Sequence, residues 1–241
     1  MTALAYPPYA IAASACGGLR LALNGTEALL RASGGLWLAA HGALVVADLH
    51  LEKGSSYAAR GQMLPPYDTG DTLDRLEAEA AALSPAVLVL LGDTFHDRAS
   101  EDRLAPAYAE RLRRLAAGRR LVWVVGNHDA DGPRALPAEI AAELALGDLI
   151  LRHEPRPGRQ VGEISGHLHP CARIVAASGR VRRRCFLTDA ERAVLPAFGA
   201  YAGGLNVRDV AFASLFTRPP IAGALGRQRV HAVGWRSLAG D

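Results

Sequence analysis

Five short apolar runs mark the first two thirds of this chain, and each stops at a polar residue. Residues 44–47 run into Asp48, residues 87–91 into Gly92 and Asp93, and residues 121–125 into Gly126 and Asn127. Two weaker runs, 149–151 and 163–165, stop before His153 and before Gly166 and His167. Continuous runs of Leu and Val of this length predict strands of a sheet covered on both faces. Between them the apolar spacing changes to a helical period. Asp68 or Thr69 is placed to cap a helix through residue 83, with Leu73, Leu76, Ala80 and Leu83 on one face. Ser100 is placed to cap a second that ends before Gly118, striped by Leu104, Tyr108, Leu112 and Leu115. Residues 137–146 form a third helix candidate. The alternation predicts an α/β chain, one domain over residues 1–241 with its motif core at about 40–175.

In α/β sheets ligands bind outside the carboxyl ends of the strands, so these five strand ends are expected to meet on one rim. They carry Asp48-Leu49-His50, Gly92-Asp93, Gly126-Asn127-His128-Asp129, Arg152-His153 and Gly166-His167-Leu168-His169. Asp, Asn and His offer hard oxygen and imidazole nitrogen donors, a set that suits two divalent cations sharing one carboxylate. Gly92, Gly126 and Gly166 each precede a donor, where a missing side chain lets the backbone come close. Taken singly, D-x-H and a Gly-Asp turn are common. All five motifs in one chain read as a metal-dependent hydrolase of phosphate esters.

The ordered set resembles the calcineurin-like metallophosphoesterase superfamily, whose pattern is D-x-H, G-D, G-N-H-[DE], a lone His and G-H-x-H. The resemblance implies two facing mixed β-sheets flanked by helices. It also implies one metal on Asp48, His50, Asp93 and His169, and another on Asp93, Asn127, His153 and His167, with Asp93 as the bridge. His128 would stand beside the scissile phosphate as general acid, oriented by Asp129. An imidazole with an ordinary pKa near 6.5 suits that role.

The second motif departs from the commonest pattern, because His96 stands where an acid is expected and Asp97 follows it. The role of His96 is open between supporting the site and touching the substrate. The form G-D-x-F-H, with Ala47 through Gly54, Ala59-Arg60-Gly61, Pro65-Pro66, His153-Glu154-Pro155, Gly166 through Pro170, and Pro196-Ala197-Phe198-Gly199, is similar to the bacterial ligase-associated DNA damage response endonucleases. That resemblance implies a manganese-dependent phosphodiesterase, with iron or zinc as alternatives, that cuts single-stranded DNA. It further implies a functional association with a helicase, an exonuclease and an ATP-dependent ligase. A phosphatase or small-substrate phosphodiesterase is the alternative enzyme. An inactive scaffold would be expected to have lost donors, and this chain keeps every one.

Charge adds a question. The net charge is +3, and the positive excess lies in residues 131–241, with Arg180, Arg182, Arg183 and Arg184 as its densest part and Arg152, Arg156, Arg159 and Arg173 beside the late motifs. Arginine suits bidentate phosphate contact. The other reading is an amphipathic strand, anchored by Val181, Cys185 and Phe186, whose arginines are simply solvated; Lys53 is the only lysine, so the arginine bias runs through the whole chain. At 241 residues and 50% hydrophobic, the chain can bury a full core. Residues 1–8 lack the basic start of a leader and no run nears the roughly 20 apolar residues of a membrane span, so a cytoplasmic protein without membrane contact is expected, a homo-oligomer being left open. Cys16, Cys171 and Cys185 lack ligand spacing and read as reduced bystanders, although Cys171 lies two residues past His169. His41 and His231 stand outside every motif, and the Gly- and Pro-bearing segment 52–66 is expected to wall the cleft.

Overall fold

The computed structural model describes residues 3–6, 9–176 and 179–241. Of the stretch read for a leader, Met1, Thr2, Pro7 and Pro8 lie outside the described residues. The first sheet follows chain order: β1 (Ala3–Tyr6), β2 (Tyr9–Ala13), β3 (Leu19–Leu23), β4 (Thr26–Leu30), β5 (Leu36–Leu38), β6 (Ala43–Ala47), β7 (Val87–Leu91), β8 (Arg120–Val124) and β9 (Glu139–Ala141). Its strands are antiparallel up to β6 and parallel from β6 to β9. Helices α1 (Lys53–Ala58) and α2 (Asp68–Leu83) connect β6 to β7, and α3 (Ser100–Arg103) and α4 (Pro106–Ala116) connect β7 to β8.

The second sheet is built from β10 (Glu143–Leu146), β11 (Leu149–Arg152), β12 (Glu163–Ser165), β13 (Cys171–Ala176), β14 (Gly179–Thr188), β15 (Ala193–Val194), β16 (Ile221–Leu225), β17 (Val230–Gly234) and β18 (Leu238–Ala239). Its order is β10-β11-β12-β15-β14-β13-β18, with β16 and β17 joined to β14. Within it β11, β12 and β15 are parallel. Both sheets are therefore mixed, and each has a parallel group whose carboxyl ends carry the motifs.

Period-two alternation sorts the apolar side chains into layers. Val45, Ala47, Val89, Leu91, Val122 and Val124 face Leu149, Leu151, Ile164 and Phe186 of the second sheet and Leu195 just past β15. Leu44, Val46, Leu88, Leu90, Leu121 and Trp123, of opposite parity, pack on Leu73, Leu76 and Ala80 of α2 and Leu112 and Leu115 of α4. A third cluster, with Cys185, Leu187 and Ala224 against Val207, Phe212 and Leu215, covers the outer face of the second sheet. Each fully buried leucine in these layers is worth roughly 1.5–3 kcal/mol. The expected arrangement, two facing mixed sheets flanked by helices, is the one the chain adopts.

Three expectations change in detail. α2 has its expected span, but its first residues do not cap it. Thr69 Oγ1 accepts from the Glu52 amide and donates to Glu52 Oε1, both at 2.9 Å, while Asp68 Oδ2 accepts from the Gly54 amide at 2.8 Å. These bonds fasten α2 to the segment 52–66, which holds α1. The helix expected from Ser100 to Gly118 is two helices, because Pro106 lacks the amide a continuing helix would need and instead opens α4. Residues 137–146 are not a helix. They supply β9 and β10, the end strands of the two sheets, where pairing with β8 and β11 overrides the helical preference of Ala, Glu and Leu. β10 alternates as a strand must, with Leu144 and Leu146 buried and Glu143 and Ala145 exposed. Among the described residues no helix is long and apolar enough to cross a membrane.

Candidate metal centre

The carboxyl ends of β6, β7 and β8 lie side by side, and the loops that leave them are joined through backbone hydrogen bonds. The Asp48 amide donates to Gly92 O at 3.1 Å, the His50 amide to Asp93 O at 2.9 Å and the Leu51 amide to Thr94 O at 2.8 Å. From the second sheet the segment after β15 joins them, the Phe198 amide donating to Ala47 O and the Gly199 amide to Asp48 O. The expected rim therefore draws on both sheets.

Local backbone strain sets the side-chain directions. Asp48, His50, Asp93, His167 and His169 all have φ between 45° and 67°, in the left-handed region. Asp and His tolerate it better than most residues, but such conformations still cost on the order of 1–3 kcal/mol each and persist where the surroundings enforce them. The glycines explain how the loops fit together. A Cβ on Gly92 would collide with the His153 ring, one on Gly126 with the Asp93 carboxylate, and one on Gly166 with the Asp48 carboxylate. Each glycine makes room for a donor from a different motif.

The side chains collect into two groups. Asp48, His50 and His169 place donor atoms near one another, as do Asp93, His153 and His167. In the first, His50 Nε2 is 3.2 Å from His169 Nε2, which is 3.3 Å from Asp48 Oδ1. In the second, Asn127 Oδ1 is 2.9 Å from His153 Nε2 and 3.1 Å from His167 Nδ1, and those two nitrogens are 3.1 Å apart. Asp93 Oδ2 stands between the groups, 3.9 Å from His50 Nε2 and 3.4 Å from His153 Nε2. The Asp48 carboxylate also receives the His167 amide, and Asp93 Oδ1 receives the His128 amide. All seven expected donors are thus brought together, Asn127 by its contacts with His153 and His167.

This arrangement fits divalent metal. Donors about 2.1 Å from a shared ion and at right angles to it stand about 3 Å apart, the spacing observed between ring nitrogens that would otherwise face each other's lone pairs. Protonation states agree. Burial, reinforced by His169, pushes the His50 pKa down to about 3, and burial and His153 lower that of His167. Burial alone would raise Asp93, but the hydrogen bond and charge of His153 outweigh it and bring its pKa to about 2. His50 and His167 are thereby kept neutral, whereas for His153 burial is outweighed by the hydrogen bond to Asp93 and the charges of Asp48 and Asp93, which raise its pKa, so a cation bound there would take the place of its proton.

His128, His96 and Asp129 are placed differently from one another. The side chain of His128 is 39% exposed, against 6% for His50 and His153 and 18% for His169, and its Nε2 is 3.9 Å from Asp93 Oδ2. Its Nδ1 lies 2.6 Å from His96 O, so the proton on Nδ1 is donated there and Nε2 is turned toward the donors. The His96 ring stacks beside it at 5.5 Å, its pKa lowered to about 4 by burial and by Lys53 and His128. His50, His96 and His128 also lie near enough to form a third donor group. Asp129 does not touch the His128 ring. Its Oδ2 accepts from the Thr94 and Phe95 amides and its Oδ1 from the Gly126 amide, so it clamps the second motif to the third, and the His96 carbonyl takes the orienting place expected of Asp129. Asp97 is held by Arg103 and the Ala99 amide. Cys171 is buried and joins none of the donor groups.

The arginines beside the late motifs are already engaged. Arg152 binds Glu163 at 2.7 Å and Glu143 at 2.8 Å, Arg156 reaches Glu143, Arg159 pairs with Glu191, and Arg173 lies near Asp241. Glu163 also binds Arg192, so a buried Arg-Glu-Arg group sits directly behind His153. Neither Glu163 nor Arg192 stands in a motif, and only their burial reveals them. In the other cluster Arg184 donates to Ala197 O and Gly199 O at 2.9 Å, Arg182 to Gly204 O and Arg183 to Arg182 O, while Arg180, Arg182 and Arg183 are exposed.

A family model for calcineurin-like phosphoesterases matches residues 43–191, from β6 through the donor motifs and beyond. The chain belongs to the calcineurin-like phosphoesterase family. It is a metal-dependent hydrolase, with donors for divalent metal where the family motifs fall. This calcineurin-like chain is 26% identical to the Pseudomonas putida nuclease MPE, whose crystal structure matches 93% of this chain and 100% of that one with a TM-score of 0.66. Yfce, a phosphoesterase from E. coli, is 16% identical over 80% of this chain and 98% of that one, with a TM-score of 0.41. Among curated proteins none matches the chain.

Proposed function

We propose that the protein is a DNA phosphodiesterase, an endonuclease of one domain that prefers single strands and acts in cytoplasmic DNA repair with two divalent ions, manganese first among them. Asp48, His50, Asp93 and His169 would hold one ion, and Asp93, Asn127, His153 and His167 the other. The observation that carries the proposal is the position of Asp93 Oδ2 between two donor groups, with His128 open to solvent beside it. Similarity to a nuclease along nearly the whole chain supports DNA over a small substrate. The implied association with a helicase, an exonuclease and a ligase belongs to the same reading.

When bound, the metals would supply Lewis acidity toward the phosphate and favour hydroxide over water at neutral pH. The chain's own residues do the rest. The left-handed backbone at Asp48, His50, Asp93, His167 and His169 fixes the donors before substrate arrives. His128, with Nδ1 committed to the His96 carbonyl, presents Nε2 as the position from which a proton reaches the leaving alkoxide. His96 is a positioning residue through its carbonyl, and Asp129 clamps together the two loops that carry His96 and His128. The test is turnover of the manganese-loaded protein on a single-stranded oligonucleotide, its duplex, a small chromogenic phosphodiester and the matching monoester. The oligonucleotide should be cut fastest. Hydrolysis of the monoester without cutting of DNA would make it a phosphatase instead.

A further inference from the structure

A cleft of about 800 Å³ lies between the start of the segment after β4, helix α2, β14 and the β16–β17 turn. Five arginines line it: Arg75, Arg182, Arg183, Arg184 and Arg227. Many arginines elsewhere in this protein are matched with carboxylates, as Arg111 is with Asp74 and Glu77, or Arg152 with Glu143 and Glu163, while others, such as Arg208, donate to carbonyl oxygens. None of these five makes an ion pair among the described residues. The one carboxylate in the cleft, Glu79, is taken by Arg31 at 2.7 Å.

The two inner arginines are bound only to carbonyl oxygens. Arg75 Nη2 donates to Phe198 O at 2.6 Å while its Nε is buried without a partner, and Arg184 Nη1 donates to Ala197 O and Gly199 O. Arg75 also lies over the Phe198 ring at 5.1 Å. Gathering like charges without counter-charge is unfavourable, and an anion in the cleft would offset it. The same short segment leads to the metal centre. Its carbonyls receive Arg75 and Arg184, and its amides at Phe198 and Gly199 donate to Ala47 O and Asp48 O.

We infer that this arginine cleft binds backbone phosphates of a nucleic-acid strand whose scissile phosphate lies at the metal centre. The inference rests on the proposed DNA phosphodiesterase activity. A planar guanidinium matches a phosphate at two points and reads no base, so the cleft would hold a strand regardless of sequence. Its volume and its five guanidiniums suit a chain of phosphates rather than one small anion. A small diester, which needs only the metals and His128, has no reason to reach it.

The variants are Arg182→Glu with Arg227→Glu, and Arg227→Glu alone, because Arg227 makes no hydrogen bond among the described residues and can be reversed without loss of one. Binding of a fluorescent oligothymidylate is followed against salt in a metal-loaded His128→Gln background, which holds the strand without rapid cutting. Each neutralised phosphate of a single strand contributes a slope of roughly −0.7 in log K against log salt. The double variant should bind about tenfold or more weakly with a slope flattened by about 1.4, and Arg227→Glu should show about half that flattening. Lysine at both positions should restore most of the binding. Chromogenic diester hydrolysis by the double variant with His128 intact reports folding. Unchanged DNA affinity and slope in Arg227→Glu and in a folded double variant would overturn the cleft. Failure of the parent protein itself to bind or cut DNA would instead overturn the proposed activity.

Discussion

Two sets of charged and polar side chains lie within a few residues of each other on β11 and β12 and are used in opposite ways. Arg152 and Glu163 sit on the strands themselves and, with Arg192, satisfy one another in the protein interior. His153 and His167, just beyond the strand ends, place ring nitrogens 3.1 Å apart and each within 3.1 Å of Asn127 Oδ1, so that three donors converge on one point. The first set is closed and structural. The second is open and prepared for a ligand. The arginines repeat the contrast on a larger scale, since those beside the late motifs are paired with carboxylates and those of the cleft near Phe198 are not. Whether a charged residue is closed or open, rather than its type, separates scaffold from site in this protein.

The largest effect expected on the open set is from Asp93→Asn. Its carboxylate reaches donors of both groups, so the variant should lose bound metal and lose activity beyond the roughly 10²–10⁴-fold that a single proton-transfer group supplies. Metal analysis beside turnover checks this; full occupancy with near-normal activity would remove Asp93 from between the groups. His128→Gln should fall within that 10²–10⁴-fold range while keeping its metal, because the ring belongs to neither of the two main groups. Loss of metal along with rate would instead place His128 among the ligands.

Breaking the closed set should do the reverse. The Glu163 side chain is 2% exposed and shared by two guanidiniums, so Glu163→Gln leaves both short of buried counter-charge and should cost about 3–5 kcal/mol. A thermal melt should fall by roughly 10 °C for a chain of this size. Activity of the folded variant, assayed well below its melting point, should change the least of the three. A large fall in rate with an unchanged melt would mean that Glu163 acts on the chemistry and would blur the contrast.

How much of this could be read from the chain depends on how local each feature is. The runs before Asp48, Asp93 and Asn127 announced parallel strands because both faces of β6, β7 and β8 are buried, and the donor types named the chemistry. The break at Pro106 was written in the chain as well, since proline at the first turn of α4 is also proline in the interior of the longer helix expected. Residues 137–146 misled because their helical preference is local, whereas their pairing with β8 and β11 is not. The left-handed conformation of five donors left only the adjacent glycines as a sign, and those glycines serve donors elsewhere in the chain. The Arg152-Glu163-Arg192 group and the unpaired Arg75 depend wholly on long-range contact, for which no spacing rule exists. Adjacency in the chain suggests that Asp129 orients His128, but its carboxylate turns instead to the Thr94, Phe95 and Gly126 amides, contacts that no spacing reveals.

On this account the metal centre holds two cations with Asp93 between them and His128 outside their coordination. The most direct measurement is anomalous diffraction from crystals of the manganese-loaded protein. The account predicts two peaks, one against Asp48, His50, Asp93 and His169 and one against Asp93, Asn127, His153 and His167, with His128 in contact with neither. A single peak within the His50, His96 and His128 group would contradict it.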